Sequence, residues 1–248
     1  ATSSKFESFR EEFDDGDYDD YYTDPEDFDT DEDSDDEDMV TDNITLQRKG
    51  QTKDLFDQKC MKKIVKHANQ NVRTKYKQLK PFQYRKGEYK DLDLDEGELK
   101  LAEPIEREDD SLYFGQVIRD EGTRHGRGVA ILKDGSMYEG FWKNDQPTGY
   151  GRTISKDGSV HQGKYEFGQP NGFGVIFGTD KVKQKGIFEN GKLVGEVVEL
   201  TEDSKYRGEY LSGLKHGKGR FQDNDGNTYE GDFWEGEFHG TGKYTFSD

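Results

Sequence analysis

Apolar and polar positions along this chain follow two different periods. Between residues 53 and 79, Met61, Ile64, Val65, Ala68, Val72, Tyr76 and Leu79 recur at spacings of three and four, with Leu55 and Phe56 one to two turns earlier. That spacing marks one face of an α-helix, and Pro81 supplies its stop. Lys62, Lys63, Lys66, Arg73, Lys75 and Lys77 fall mainly off the stripe, so the segment predicts a basic amphipathic helix. From residue 113 onward the period drops to two. Around Tyr138-Glu139-Gly140-Phe141-Trp142, tyrosine, glycine and tryptophan occupy alternate positions, as in a strand with one side-chain face.

This alternation is repeated. The dyads Tyr113-x-Gly115, Tyr138-x-Gly140, His161-x-Gly163, Gln184-x-Gly186, Tyr206-x-Gly208 and Tyr229-x-Gly231 stand 25, 23, 23, 22 and 23 residues apart. Two positions after each glycine comes a large apolar side chain: Val117, Trp142, Tyr165, Phe188, Tyr210 or Phe233. A Gly-x-Gly pair follows in each unit, except that Val197 stands where the second glycine belongs in the fourth. Segments such as Glu189-Asn190-Gly191-Lys192 and Leu211-Ser212-Gly213-Leu214 read as turns, where Asn or Gly supplies positive φ. Each unit is therefore a β-hairpin. Hairpins in series form an antiparallel meander, whose neighbours must stabilise one another because a lone hairpin is marginal.

The pattern resembles the MORN repeat family, in which Tyr-Glu-Gly-x-Trp and a later Gly-x-Gly recur in each unit. Tyr138-Glu139-Gly140-Phe141-Trp142 and Tyr229-Glu230-Gly231-Asp232-Phe233 carry it most plainly, with His216-Gly217-Lys218-Gly219 and His239-Gly240-Thr241-Gly242 as matching return strands. Departures lie in the middle: His161 and Gln184 replace the tyrosine, Thr179-Asp180-Lys181 lacks the turn glycine, and Val197 replaces another. The resemblance implies a mainly β protein, an elongated single-layer meander of about six hairpins used as an interaction scaffold. It also implies association with cytoskeletal, ciliary or membrane-linked assemblies, and homodimers are common in that family.

Charge divides the rest of the chain. The net charge of −18 is carried by residues 1–42, where 20 acids face Lys5 and Arg10. Residues 46–90 balance at +11, residues 91–112 at −8, and residues 113–248 at −3. These shifts delimit an acidic tail over 1–45, expected to stay disordered and solvated; a basic helical segment over 46–90; an acidic linker or edge strand over 91–112; and the repeat sheet over 113–248. The sequence stops where the next Asp-Gly turn is due, so it reads as a fragment, with either more repeats or a catalytic domain to follow. Only 29% of residues are hydrophobic, too few for one large core, which disfavours a large-core enzyme. No apolar run approaches a membrane span. The one cysteine, Cys60, makes no internal disulfide, which agrees with a reducing, cytoplasmic compartment.

Candidate chemistry is thin. His125, His216 and His239 occupy equivalent repeat positions, too far apart for one zinc ion, and so read as structural. Asp91-Leu92-Asp93-Leu94-Asp95-Glu96-Gly97 has its glycine one place late for a calcium loop and Ala102 at the twelfth position, and its alternating acids and leucines suit an added edge strand better. No nucleophile, base and orienting acid stand out as a set, so no catalytic, cofactor or metal residues are assigned. The slightly acidic repeats argue against nucleic acid as a partner.

The expected function is a non-catalytic protein-binding scaffold. A one-layer sheet would leave Tyr138, Trp142, Tyr165, Phe188, Tyr206, Tyr210, Tyr229 and Phe233 uncovered, and these eight are the expected partner-binding residues. Their occupant would be an external amphipathic helix or the chain's own helix 53–79. Two alternatives stand beside it. One is a tether to anionic membrane through Lys62, Lys63, Lys66, Arg73, Lys75 and Lys77. The other, implied by the resemblance alone, is the N-terminal regulatory part of a lipid kinase or methyltransferase.

Overall fold

The computed structural model describes residue 56, residues 58–84, residue 92 and residues 95–247. The acidic tail and Leu55 lie outside the described residues. Two short helices, α1 (Gln58–Val65) and α2 (Gln70–Gln78), precede a 3₁₀ turn over Glu96–Glu98 and thirteen strands. The strands are β1 (Leu99–Glu106), β2 (Leu112–Ile118), β3 (Arg124–Ile131), β4 (Met137–Lys143), β5 (Gln146–Ile154), β6 (Val160–Glu166), β7 (Gln169–Phe177), β8 (Lys183–Glu189), β9 (Lys192–Leu200), β10 (Ser204–Leu211), β11 (Leu214–Asp223), β12 (Thr228–Trp234) and β13 (Glu237–Thr245). They form one sheet, hydrogen-bonded in sequence order and antiparallel throughout, with about 4.8 Å per strand step. The predicted meander is thus observed, with β1 added in front of the six hairpins. That extra strand begins at Leu99, after the acid-leucine alternation that suggested it.

Turn chemistry sets the register. Five hairpins close through two residues that both have positive φ, as in Asn144-Asp145 (51° and 65°) and Phe167-Gly168 (50° and 80°), the geometry whose twist matches the strands it joins. Between hairpins, an aspartate side chain holds the wider turn. Asp134 Oδ1 accepts from the Ser136 backbone N–H at 3.0 Å and its hydroxyl at 2.5 Å, and Asp157 does the same with Ser159 at 2.9 and 2.7 Å. These bonds hold both carboxyls below the usual range.

The two glycines of each Gly-x-Gly have different tasks. Gly149 has φ of 60° beside the register shift at Gly140/Phe141, so it makes a β-bulge that a Cβ would strain. Gly151 has ordinary φ but lies under the Tyr138 ring, and a Cβ there would collide with the tyrosine hydroxyl. The first glycine therefore serves the backbone, the second the neighbouring ring.

The helical segment differs from expectation. The apolar stripe is real: Met61, Ile64, Val65, Ala68 and Val72 are all buried. However, the single helix over 53–79 is divided at residues 66–69. Asn69 caps α2 by accepting from Val72 N–H at 2.9 Å, while its own N–H donates to Gly135 O (3.1 Å) and its Nδ2 donates to Lys156 O (2.8 Å). Breaking the helix there lets its polar junction bond to two inter-hairpin turns.

Candidate functional site

Cross-strand pairing assigns every residue of the sheet to one of two faces. The first carries the repeated aromatic positions. Each tyrosine ring lies across its glycine pair, and its hydroxyl donates to the carbonyl three residues ahead: Tyr113 to Gln116 (2.6 Å), Tyr138 to Phe141 (2.9 Å), Tyr206 to Glu209 (3.0 Å) and Tyr229 to Asp232 (3.0 Å). The second ring of a unit then meets the first ring of its own unit and that of the preceding unit. Trp142 stands edge-on to Tyr138 at 5.1 Å and to Tyr113 at 5.4 Å, and Tyr138 meets Tyr165 at 5.1 Å. Phe233 meets Tyr206 at 4.9 Å and Tyr229 at 5.4 Å. Such edge-to-face pairs add about 0.5–1.5 kcal/mol each beyond area burial.

This ladder corrects the premise of an uncovered aromatic stripe. Tyr138, Trp142, Tyr165, Phe188, Tyr206, Tyr210, Tyr229 and Phe233 are between 1% and 8% exposed. A single layer buries them because Tyr138, Tyr206 and Tyr229 lie over glycine pairs and the other rings stand edge-on to rings of their own or an adjacent hairpin. They form a spine of the sheet.

The ladder changes chemistry where the repeat departs from its pattern. His161 replaces tyrosine and keeps its place over Gly174, with Phe188 at 4.7 Å and its Nδ1 hydrogen-bonded to the Tyr165 hydroxyl at 2.7 Å. Burial lowers its pKa to about 4, so it is neutral at pH 7. In the fourth unit, Gln184 turns away from Gly186, and a methyl of Val197 takes the space, 2.8 Å from where a Cβ on Gly186 would stand. Gln184 Nε2 donates instead to Glu199 (2.6 Å), which also accepts from the Tyr210 hydroxyl (2.7 Å) and pairs with Lys215 (2.7 Å). Burial alone would push Glu199 up, but Lys215, Tyr210 and Gln184 outweigh it and hold the carboxyl below its usual range.

The opposite face carries the helices. The α1–α2 stripe packs on Phe114, Val129, Ile131, Met137, Ile154 and Val160, all at positions one residue out of phase with the aromatic ladder. The chain's own helix therefore covers the aliphatic face, not the aromatic face considered from sequence. Residues 80–84 continue this cover. Phe82 stacks on Tyr150 at 5.5 Å, and Tyr84 meets Phe141 edge-on at 5.4 Å. Beneath them lies an ion pair invisible in the repeat pattern, Glu139 with Arg152, both about 2–3% exposed. Arg152 Nη1 also donates to Lys80 O at 3.1 Å. Burial pushes the Glu139 carboxyl up, and Arg152 only partly offsets this. The basic residues named from sequence point outward: Lys62, Lys63, Lys66 and Lys77 are exposed, Arg73 and Lys75 half-buried.

The histidines are not brought together. His216 and His239 flank the exposed Trp234, at 4.5 and 6.1 Å between rings, while His125 Nδ1 accepts from Asn144 N–H at 3.2 Å. Among the described residues, no group of three His, Cys, Asp or Glu is arranged around a metal position. No described helix is long and apolar enough to cross a membrane.

A thirteen-stranded sheet of serial hairpins, stiffened by a ring ladder and partly covered by its own helices, defines a β-repeat protein. A family model for the MORN repeat matches residues 120–137, 138–160, 161–181, 206–228 and 229–248. The chain belongs to the MORN-repeat proteins, a family of non-catalytic binding modules. The unmatched stretch 182–205 contains Gln184 and Val197, where valine has taken the place of the tyrosine ring. The comparison with curated proteins returns no match. Among solved structures, the TCP domain of Drosophila melanogaster SAS-4 (dCPAP), in complex with a proline-rich motif of Ana2 (dSTIL), is similar over 58% of this chain and 88% of that one. Its identity is 11% and its TM-score 0.28, a likeness too weak to carry an argument.

Proposed function

We propose that this chain is a non-catalytic protein–protein interaction scaffold in which the sheet receives amphipathic helices. The observation that supports this most directly is intramolecular: the sheet holds α1 and α2 by their apolar stripe, the geometry of helix-on-sheet docking. A partner on the aromatic face would meet ring edges and the flanking polar groups around Glu199, not an open stripe. The assembly served is cytoplasmic and cytoskeletal or ciliary, as the family implies, with a homodimer as one arrangement.

The test is affinity purification of the full chain from native lysate, washed at high salt to screen charge-driven background and read by quantitative mass spectrometry. One or two polypeptides near stoichiometry, re-forming a complex with the purified chain on size exclusion, support the reading. A chain that recovers none at that level sinks it. Light scattering distinguishes a homodimer, and imaging of the tagged chain tests the location.

A second reading has its own observation. Lys59, Lys62, Lys63, Lys66 and Lys77 lie exposed on the outer side of the helical layer, and each base near an anionic bilayer contributes about 1 kcal/mol. Flotation with phosphatidylserine vesicles should then be lost in K62E/K63E/K66E. Equal indifference of both proteins to the vesicles ends the membrane reading.

A further inference from the structure

The ring ladder of the aromatic face is not continuous. Its first run passes by ring contacts through Tyr113, Trp142, Tyr138, Tyr165, His161 and Phe188. Its second passes through Tyr210, Tyr206, Phe233, Tyr229 and Phe238. Among the described residues, no ring of the first run meets a ring of the second. The gap lies in the fourth unit, where Gln184 replaces the ring that would touch both Phe188 and Tyr210, and the aliphatic Leu193 and Val197 pack there instead.

The opposite face changes at the same place. Phe177 on β7, half-buried, is the last residue of the sheet that packs against the helical layer, and among the described residues no side chain of β8 to β13 belongs to that packing. Within one hairpin, therefore, the rings stop bridging on one face and the brace ends on the other. Backbone pairing of β9 with β10 runs unbroken from Lys205 with Leu200 to Tyr210 with Gly195, so side-chain cohesion is what weakens here. In a serial repeat each unit is held by its neighbours, and the array yields first where that neighbour term is smallest.

One polar cluster spans the gap. Glu199 on β9 stands opposite Gln184 on β8 and Tyr206 on β10. Its carboxylate accepts from Gln184 Nε2 at 2.6 Å and from the Tyr210 hydroxyl at 2.7 Å, and it pairs with Lys215 Nζ at 2.7 Å. The same ammonium lies 4.9 Å from the centroid of the Tyr206 ring. A single carboxylate thus gathers donors from β8, β10 and β11. Parting two rings exposes apolar surface, whereas a carboxylate and its donors, once parted, are taken up by water. The cluster therefore releases at lower cost than the ring contacts it replaces.

We infer that the fourth unit is a joint in the sheet: the last two hairpins, β10 to β13, open and reclose as one body against the helix-braced part, and Glu199 is the clasp that holds the joint closed. The inference stands apart from the scaffold reading, to which it adds a moving part. The angle between the two parts changes at β8–β9 while each keeps its own ring run.

The test is native-state hydrogen exchange on the full chain, read by mass spectrometry under conditions where rates report opening equilibria. Amides of β10 to β12 should share one opening and exchange at least about tenfold faster than the slowest amides of β3 to β5, with a step between β9 and β10. Glu199→Gln should speed β10 to β12 at least about fivefold and leave β3 to β5 within about twofold. The control is Glu196→Gln, which removes a carboxylate paired with Arg207 at 2.6 Å on the opposite, exposed side of the same strand and should change neither block. Q184Y/V197G rejoins the two ring runs and should slow β10 to β12 toward the rate of β3 to β5. Circular dichroism confirms that each variant folds; should Q184Y/V197G fail to fold, the wild type and Glu199→Gln still decide. Protection that falls evenly from β7 to β13 without a step overturns the joint, because that is fraying of an end. Equal acceleration of both blocks in Glu199→Gln overturns it too, because the sheet then yields as a whole. A step that Glu199→Gln moves no more than Glu196→Gln does removes the clasp, and an unchanged step in folded Q184Y/V197G refutes the ring gap as its cause.

Discussion

In the fourth unit one side chain performs the packing task of another on a different strand, and a double-mutant cycle can measure it. In the other hairpins a tyrosine or histidine ring fills the space over two glycines; here Gln184 leaves it and Val197 occupies it. Restoring the family pattern therefore requires Gln184→Tyr and Val197→Gly together. Val197 is 0% exposed. Removing its side chain forfeits about 1.5–3 kcal/mol of burial and adds about 0.5–1 kcal/mol of glycine entropy, so Val197→Gly alone should cost about 3 kcal/mol. Gln184→Tyr alone drives a ring against the Val197 methyls, an overpacking of about 1–3 kcal/mol. Together the ring enters the vacated space and gains edge contacts with Phe188 and Tyr210, the neighbours that its register predicts from Tyr138 with Trp142 and Tyr165.

The double variant should consequently lie within about 1 kcal/mol of wild type, a coupling of at least about 2 kcal/mol in favour of the pair. Urea unfolding followed in parallel by tryptophan fluorescence and far-ultraviolet circular dichroism supplies the four free energies. Coincident transitions and equal m-values are required, because serial repeats can lose cooperativity. If the double variant is destabilised by the sum of the singles to within about 0.5 kcal/mol, valine is not standing in for the ring, and the two-task account of the glycines fails.

Three further outcomes follow from the same geometry. His161 titrates near 4 when folded against about 6.5 when unfolded, so the unfolded chain binds a proton that the fold refuses; stability should fall by up to about 3 kcal/mol as pH drops from 6.5 to 4, and His161→Tyr should remove that increment in pH-dependent melts. Glu139→Ala leaves the Arg152 charge buried without its partner and should cost about 3–5 kcal/mol, whereas replacing both by methionine should be much closer to neutral in the same denaturation assay. Asn69→Ala removes the α2 cap, about 1 kcal/mol, together with the bond to Lys156 O; hydrogen exchange should accelerate over residues 58–78 and stay unchanged in β10–β12.

Much of the fold was legible because the repeat states its own backbone. Tyr-x-Gly-x-aromatic gives the strand period, Asn190-Gly191 and Ser212-Gly213 give the turn conformation, and the apolar stripe from Met61 to Val72 gives a packing face. The covering of the rings was not legible, because it comes from rings about 23 positions away and, for the tyrosines, from the absence of side chains on two glycines. Nor was the face that the helices cover. Between Met137 and Trp142, apolar residues occupy both phases of the strand, so periodicity alone does not say which phase a helix would meet. The helix break was visible in principle as Asn69, a good N-cap inside an otherwise continuous stripe. Glu139 could not have been distinguished from Glu230: both follow a repeat tyrosine, yet the first lies buried under residues 80–84 and the second is exposed.

That last comparison separates what the repeat constrains from what it leaves free. On the aromatic face, equivalent positions hold Tyr138, His161, Tyr206 and Tyr229, and even the exception at Gln184 is repaired by Val197. On the other face, the position before the tyrosine runs Met137, Val160, Lys183, Lys205 and Thr228, and the position after it runs Glu139, Gln162, Lys185, Arg207 and Glu230. The first face must keep its composition because each ring is a wall of its neighbour's site, so a change there propagates to adjacent hairpins as lost stability. The second is held only by what lies on it, and its composition tracks its cover: aliphatic under α1 and α2, and aliphatic residues with charges of both signs from β8 onward. Substitutions on the two faces should therefore differ in cost, the aromatic face moving unfolding midpoints and the outer positions of β8 to β10, such as Lys183 and Lys185, moving them by no more than about 0.5 kcal/mol. An aromatic-face variant of unchanged midpoint, or unfolding caused by K183E/K185E, would contradict this division of labour between the faces.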